Sequence, residues 1–189
     1  LAYEIRDAAE ALRIRLRFRQ PGEGDVRTGA NPRRPGVIDL SGLRVIELGS
    51  GVSAAWATKW MADLGADIIK VEAPGGDRLR ERGPFPISES APDPDQAGFF
   101  HYLNANKRSV VLDLDDADDR EALLALIGTA EAVVHNLPLH RLEETRLGWE
   151  DLHPLFPQLV VCAMTPFGLT GPHRNWRGEE LTVANAGGW

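Results

Sequence analysis

From residue 45 onward the chain alternates short runs of aliphatic and β-branched residues with stretches whose apolar positions recur at helical spacing. Residues 45–48, 68–71, 109–114, 132–134 and 159–163 form the extended runs, while 54–64, 120–127 and 149–156 carry the helical period. Runs that are apolar at nearly every position fit strands covered on both faces, and strands separated by helices fit parallel pairing. The pattern predicts an α/β fold, a Rossmann-like doubly wound and mostly parallel sheet. Cys162 falls inside the last extended run and reads as a packed strand position.

The first part of the chain follows another rule. Residues 1–19 place Leu1, Ile5, Leu12 and Leu16 near helical spacing among charged neighbours, which predicts an amphipathic helix. Residues 20–39 turn to Pro, Gly and Arg and read as a linker, leaving 40–189 as the folded unit. The stretch from Ala73 to Gln96, rich in Pro, Gly and charge, is a long connection of the kind that often carries function. A chain that starts on Leu and ends on Trp189, directly after Gly187-Gly188, suggests a fragment.

Composition narrows the function classes. The 43% hydrophobic content suits a buried core, and a net charge of −7 argues against a general nucleic-acid binder, which needs clustered cations to neutralise phosphates. No apolar run approaches the roughly 20 residues of a membrane span. With one cysteine no internal disulfide is possible, and a reducing cytoplasm is the expected compartment. The histidines show no metal-ligand spacing and no Gly-x-Ser-x-Gly elbow is present, so neither a metal site nor a serine hydrolase is expected.

Gly49-Ser50-Gly51 follows the first strand and precedes a helix, which turns backbone N–H groups toward the strand end and suits a phosphate or nucleotide. Glu72 closes the second strand where a dinucleotide site would place its ribose-binding acid. The same turn also fits the first motif of an S-adenosylmethionine methyltransferase, or a plain tight turn.

A longer series of motifs decides between these. Leu40-Ser41-Gly42-Leu43-Arg44-Val45-Ile46-Glu47-Leu48, Met61-Ala62-Asp63-Leu64-Gly65-Ala66-Asp67 with Lys70-Val71-Glu72, Gly76-Asp77 with Arg80, Asn104-Ala105-Asn106-Lys107-Arg108, Arg146-Leu147-Gly148 and Phe167-Gly168-Leu169-Thr170-Gly171-Pro172 follow in order. In this series the chain resembles family III coenzyme A transferases of the CaiB/BaiF type, from Leu40 to Gly188. The resemblance implies a Rossmann-like part, with a second, smaller domain outside this chain, and an interlocked homodimer in the full-length form. It implies that an acyl-CoA and a carboxylic acid are the partners, with coenzyme A as substrate and no tightly bound cofactor.

The resemblance also assigns residues. Gly51, Val52 and Ser53 would lie along the pantetheine and phosphates, and Leu112, Leu114, Asn136, Leu137, Arg146 and Leu147 would line the nucleotide end. Lys107 and Arg108, paired cations ahead of a core strand, would meet the phosphates. Asp115-Asp116 stands where many relatives carry a Lys. The nucleophile position, Asp in the family, is Glu180 here, and its extra methylene moves the carboxylate by an amount that can cost roughly 10²-fold in rate. Two other activities remain in view: an acyl-CoA racemase or epimerase, whose Gly-His-Asp is replaced by Gly178-Glu179-Glu180, and a noncatalytic binding or dimerisation half.

Overall fold

The computed structural model describes residues 38–87 and 92–187. The expected N-terminal helix and nearly all of the linker lie outside these residues. Five parallel strands form one sheet in the order β3-β2-β1-β4-β5: β1 Arg44–Leu48, β2 Asp67–Glu72, β3 Arg108–Val111, β4 Ala132–His135 and β5 Val160–Ala163. The helices are α1 Val52–Asp63, α2 Gly98–Asn104, α3 Ala117–Ile127, α4 Leu139–Thr145, α5 Trp149–Leu152 and α6 Glu180–Ala186. The predicted parallel α/β architecture is present.

Strand alternation builds a core on each face. Val45, Ile68 and Val134 point to the α1 side, where Ala54 and Ala62 let the helix approach closely. Ile46, Leu48, Ile69, Val71 and Val133 point the other way, onto Leu123 and Ile127 of α3 and Leu152 of α5. Each fully buried aliphatic side chain contributes roughly 1.5–3 kcal/mol, so the central strands anchor the fold. A third cluster, Ala55, Leu79, Phe100 and Leu103, packs α2 beside α1.

Local signals set the helix ends. α1 closes with Gly65 at φ 100°, the Gly65 and Ala66 N–H groups donating to the Ala62 and Met61 carbonyls, a termination that a left-handed glycine makes cheap. α3 opens on Asp116, whose carboxylate accepts from Asp118 N and Asp119 N. Along the outer side of α1, Val52, Trp56 and Trp60 are exposed, with Trp56 6.1 Å from Tyr102 of α2.

One expectation fails at the sheet edge. Cys162 lies in β5 as predicted, but it is exposed, as is Val160. β5 pairs only with β4 and is poorly covered, so an apolar run here does not mean a packed one.

Candidate functional site

In an open parallel sheet the crevice lies beyond the strand C-termini where the strand order reverses. Here that point is between β1 and β4, since the chain leaves β1 toward β2 and β3 and returns to its other side at β4. A cleft of about 410 Å³ opens there. The glycine turn forms part of it through Gly49 and Ser50, and Leu112, Leu114, Asn136 and Leu137 line it with them. Four of the expected nucleotide-end residues therefore come together beside the turn.

Asn136 ties the two sides. Its Oδ1 accepts from Ser50 N at 3.1 Å, and its Nδ2 donates to the Ser50 carbonyl and to Ser53 Oγ, both at 2.9 Å. A Cβ on Gly49 would lie 1.8 Å from Asn136 Oδ1, and φ there is 117°, so glycine is required by both space and backbone. Ser53 and Asn136 are thus joined in one hydrogen-bonded corner.

The N–H of Gly51, which caps α1, is already engaged. Asp77 accepts from Gly51 N at 3.1 Å and from Leu79 N at 2.8 Å, so a carboxylate of the chain stands where the turn was expected to receive a phosphate. Glu72 is likewise committed: it accepts from Arg80 Nε at 2.6 Å, Arg80 Nη2 at 2.9 Å and Ser109 Oγ at 2.7 Å. Burial raises the Glu72 pKa, but the Arg80 and Ser109 hydrogen bonds and nearby positive charge bring it below the usual value. Its placement gives no support to a ribose-binding acid of the dinucleotide type.

The structure corrects the expected roles of Lys107 and Arg108. Lys107 reaches inward between the sheet and α1, its side chain 1% exposed, and donates to Glu47 Oε2 at 2.9 Å, the Ala55 carbonyl at 2.8 Å and Asn104 Oδ1 at 3.0 Å. An ammonium has three protons, and all three are used. Arg108 starts β3 and binds Asp67, the first residue of β2, with Nε to Oδ1 at 3.0 Å. In a parallel sheet that is the end opposite the cleft. Sequence placed both cations before a core strand, but not the direction in which each side chain leaves it.

Lys107 belongs to a buried quartet. Lys70 Nζ lies 2.7 Å from Glu47 Oε1 and 2.8 Å from Asp77 Oδ2, and Thr58 Oγ1 donates to Glu47 Oε2 at 2.6 Å. Two carboxylates face two ammoniums. Burial drives the Glu47 pKa up, yet the Lys70 and Lys107 charges and the Lys70 and Thr58 hydrogen bonds together hold it below the usual range. Burial drives Lys70 down, and its two carboxylates more than reverse this. For Lys107 burial prevails over Glu47 and the net direction is down.

Arg146 and Leu147 are placed away from the main cleft. Arg146 ends α4 with φ 55° and lines a separate cleft of about 590 Å³ with Arg120, Glu144 and Asp151, while Leu147 is 1% exposed within the core. The cations that line the main cleft are Arg78 and Arg141. Neither was singled out from the sequence, although Arg78 lies within the Gly76-Asp77 to Arg80 signature. Glu180 is the first residue of α6, preceded by Glu179, which forms a reciprocal cap with Thr182.

Among the described residues no group of His, Cys, Asp and Glu could hold a metal ion, and no helix is long and apolar enough to cross a membrane.

Comparison with known proteins agrees with the motif series. The chain is 40% identical over 152 residues to a succinate–glutarate CoA-transferase of Agrobacterium fabrum, covering 79% of this chain and 38% of that protein. It is 38% identical over 129 residues to a succinyl-CoA:mesaconate CoA-transferase of Haloarcula hispanica, covering 68% of this chain and 32% of that one. Among solved structures, a CaiB/BaiF family protein from Brucella suis superposes with a TM-score of 0.71 at 37% identity, over 79% of this chain and 39% of its own. The chain thus spans about two fifths of the length of these relatives or less. The sequence profile of CoA-transferase family III matches residues 40–189, and the chain belongs to that family.

Proposed function

We propose that this chain provides the coenzyme A cleft of an enzyme that moves coenzyme A from an acyl thioester to a carboxylic acid, with Glu180 as the covalent carrier. The observation that supports the reading is the crevice at the β1/β4 switch point, where Leu112, Leu114, Asn136 and Leu137 stand beside the glycine turn. Apolar walls suit an adenine and a pantetheine, and Arg78 is the cation nearest the turn, with Nη2 3.4 Å from the Ser50 carbonyl. Gly51, Val52 and Ser53 then border the ligand at the rim of the cleft, with Gly51 N already given to Asp77.

In the proposed reaction the Glu180 carboxylate attacks the thioester carbonyl, expelling the coenzyme A thiolate and leaving a mixed anhydride. The thiolate attacks the glutamyl carbonyl of that anhydride, which releases the first acid and leaves a glutamyl thioester. An incoming carboxylate runs the same two steps in reverse, so neither an oxidant nor net water is consumed. Self-association in the complete protein is part of the proposal, and the exposed Val52, Trp56, Trp60 and Tyr102 on α1 and α2 offer apolar area for it. A cytoplasmic setting, where acyl-CoA pools are met, completes it.

The test uses protein expressed from the complete reading frame. Incubation with succinyl-CoA, whose acyl group is named in a relative, followed by hydroxylamine, should give a hydroxamate at Glu180 in the peptide mass spectrum. Glu180→Gln should abolish it and leave coenzyme A binding within about twofold, because only the nucleophile is lost. An active enzyme whose adduct maps to another carboxylate would leave this chain a binding role alone.

A further inference from the structure

Four acidic side chains line the main cleft, and two of them are matched internally: Glu72 by Arg80 at 2.6 Å and Asp77 by Lys70 at 2.8 Å. The remaining two, Asp113 and Asp115, share the cleft with Arg78 and Arg141. Arg141 is already engaged twice, its Nη2 lying 2.9 Å from Asp115 Oδ1 and its Nη1 2.9 Å from Glu144 Oε2. Asp115 is presented from an ordered turn, since its N–H donates to Asp113 Oδ1 at 3.0 Å and Asp116 N to the Asp113 carbonyl at 3.1 Å.

The consequence is a cleft wall with little net charge. A phosphate that approaches Arg141 must compete with two carboxylates for the same guanidinium, and it meets Asp115 as a like charge. Coenzyme A carries a diphosphate and, on its ribose, a separate 3′-phosphate. Arg78 can serve one phosphate group, but a second meets an Arg141 whose charge is already shared between Asp115 and Glu144.

We propose that Asp115 is a specificity-determining residue: by holding Arg141 it makes the cleft indifferent to the ligand's ribose phosphate, so that coenzyme A and 3′-dephospho-coenzyme A bind about equally. The inference rests on reading the cleft as the coenzyme A site. Asp115→Asn keeps the shape of the turn, removes the competing charge and frees one edge of Arg141 for a phosphate.

Calorimetric titration of the full chain at low salt, with both ligands, tests it. The unsubstituted chain should bind them within about twofold of each other, and Asp115→Asn should favour coenzyme A by about fivefold, the scale of one exposed ion pair. Arg141→Gln should leave the ratio unchanged in the unsubstituted background and cancel the gain in the Asp115→Asn background, the coupling expected of two groups that act through each other. A tenfold preference of the unsubstituted chain for coenzyme A would overturn the inference, as would an Asp115→Asn ratio that does not move. If neither ligand binds, the assignment of the cleft itself fails and the inference falls with it; if both bind and only the ratios disagree, the assignment stands and the role of Asp115 does not.

Discussion

Two groups of Lys, Arg, Asp and Glu adjoin in sequence at Asp77-Arg78, yet they do opposite work. The quartet of Glu47, Lys70, Asp77 and Lys107 is sealed between α1 and the sheet, and the side chains of all four are at most 1% exposed. The group of Arg78, Asp115 and Arg141 lines the cleft, with Glu144 bonded to Arg141 from outside it, and Asp115 is 70% exposed. Coulomb attraction is many times stronger in the first setting, but so is the cost of taking each charge out of water. The buried group therefore holds the fold together only while it is complete, and the exposed pairs contribute little to the stability of the fold.

The largest effect that could break this contrast is loss of one buried partner. Glu47→Gln leaves Lys70 and Lys107 facing a neutral amide and should cost about 3–5 kcal/mol, read as a lower urea midpoint at unchanged slope. A loss below about 1 kcal/mol would mean that water reaches the quartet. The same logic turns Lys107 from an expected ligand contact into a residue whose removal acts on stability first.

Next in size is Asn136, which stands between the two regimes. Asn136→Ala removes the acceptor for Ser50 N and the donor to the Ser50 carbonyl, and should cost about 1–3 kcal/mol. Because the glycine turn loses its tether, coenzyme A binding should weaken as well. Unchanged affinity in a stably folded variant would separate the turn from the ligand.

The smallest effect concerns His135, at the end of β4. Its ring is buried, Nδ1 has no partner among the described residues, and burial alone pushes its pKa below 6.5. The unfolded chain binds a proton near pH 6.5 and the folded chain resists it, so stability should be lost as the pH falls below that value. His135→Leu should flatten the dependence between about pH 5 and 6.5, leaving the acid loss of the carboxylates at lower pH. An unchanged pH profile in thermal melts would show that the ring protonates freely in the folded state.

How much of this was legible in the sequence follows from the same contrast. β1, β2 and β4 and helices α1 and α3 appear near their expected bounds because burial on two faces imposes an apolar run, and burial on one imposes a helical period; β5 keeps such a run although it is poorly covered. The helices α2 and α4, seven residues each, were not anticipated, being too short to show a period. At the cleft, Leu112, Leu114, Asn136 and Leu137 were found through the motif series. Lys107 and Arg108 were misplaced because a one-dimensional pattern shows that a cation precedes a strand and not which way its long side chain turns. Arg78 and Arg141 were missed since nothing local distinguishes a cleft arginine from a solvated one; the strand order alone brings them together. Cys162 looked packed because an edge strand and a central strand can carry the same residues.

The Asp77 carboxylate at the start of α1 has a consequence for the thermodynamics of recognition. By meeting Gly51 N and Leu79 N while bonded to Lys70, it acts as an internal anion that ties the glycine turn to the segment after β2. The cost of ordering the turn is thus met when the chain folds, not when a ligand arrives. A ligand entering the crevice meets a turn already tethered by Asp77, and the walls where Asp115 and Arg141 stand carry more of the discrimination.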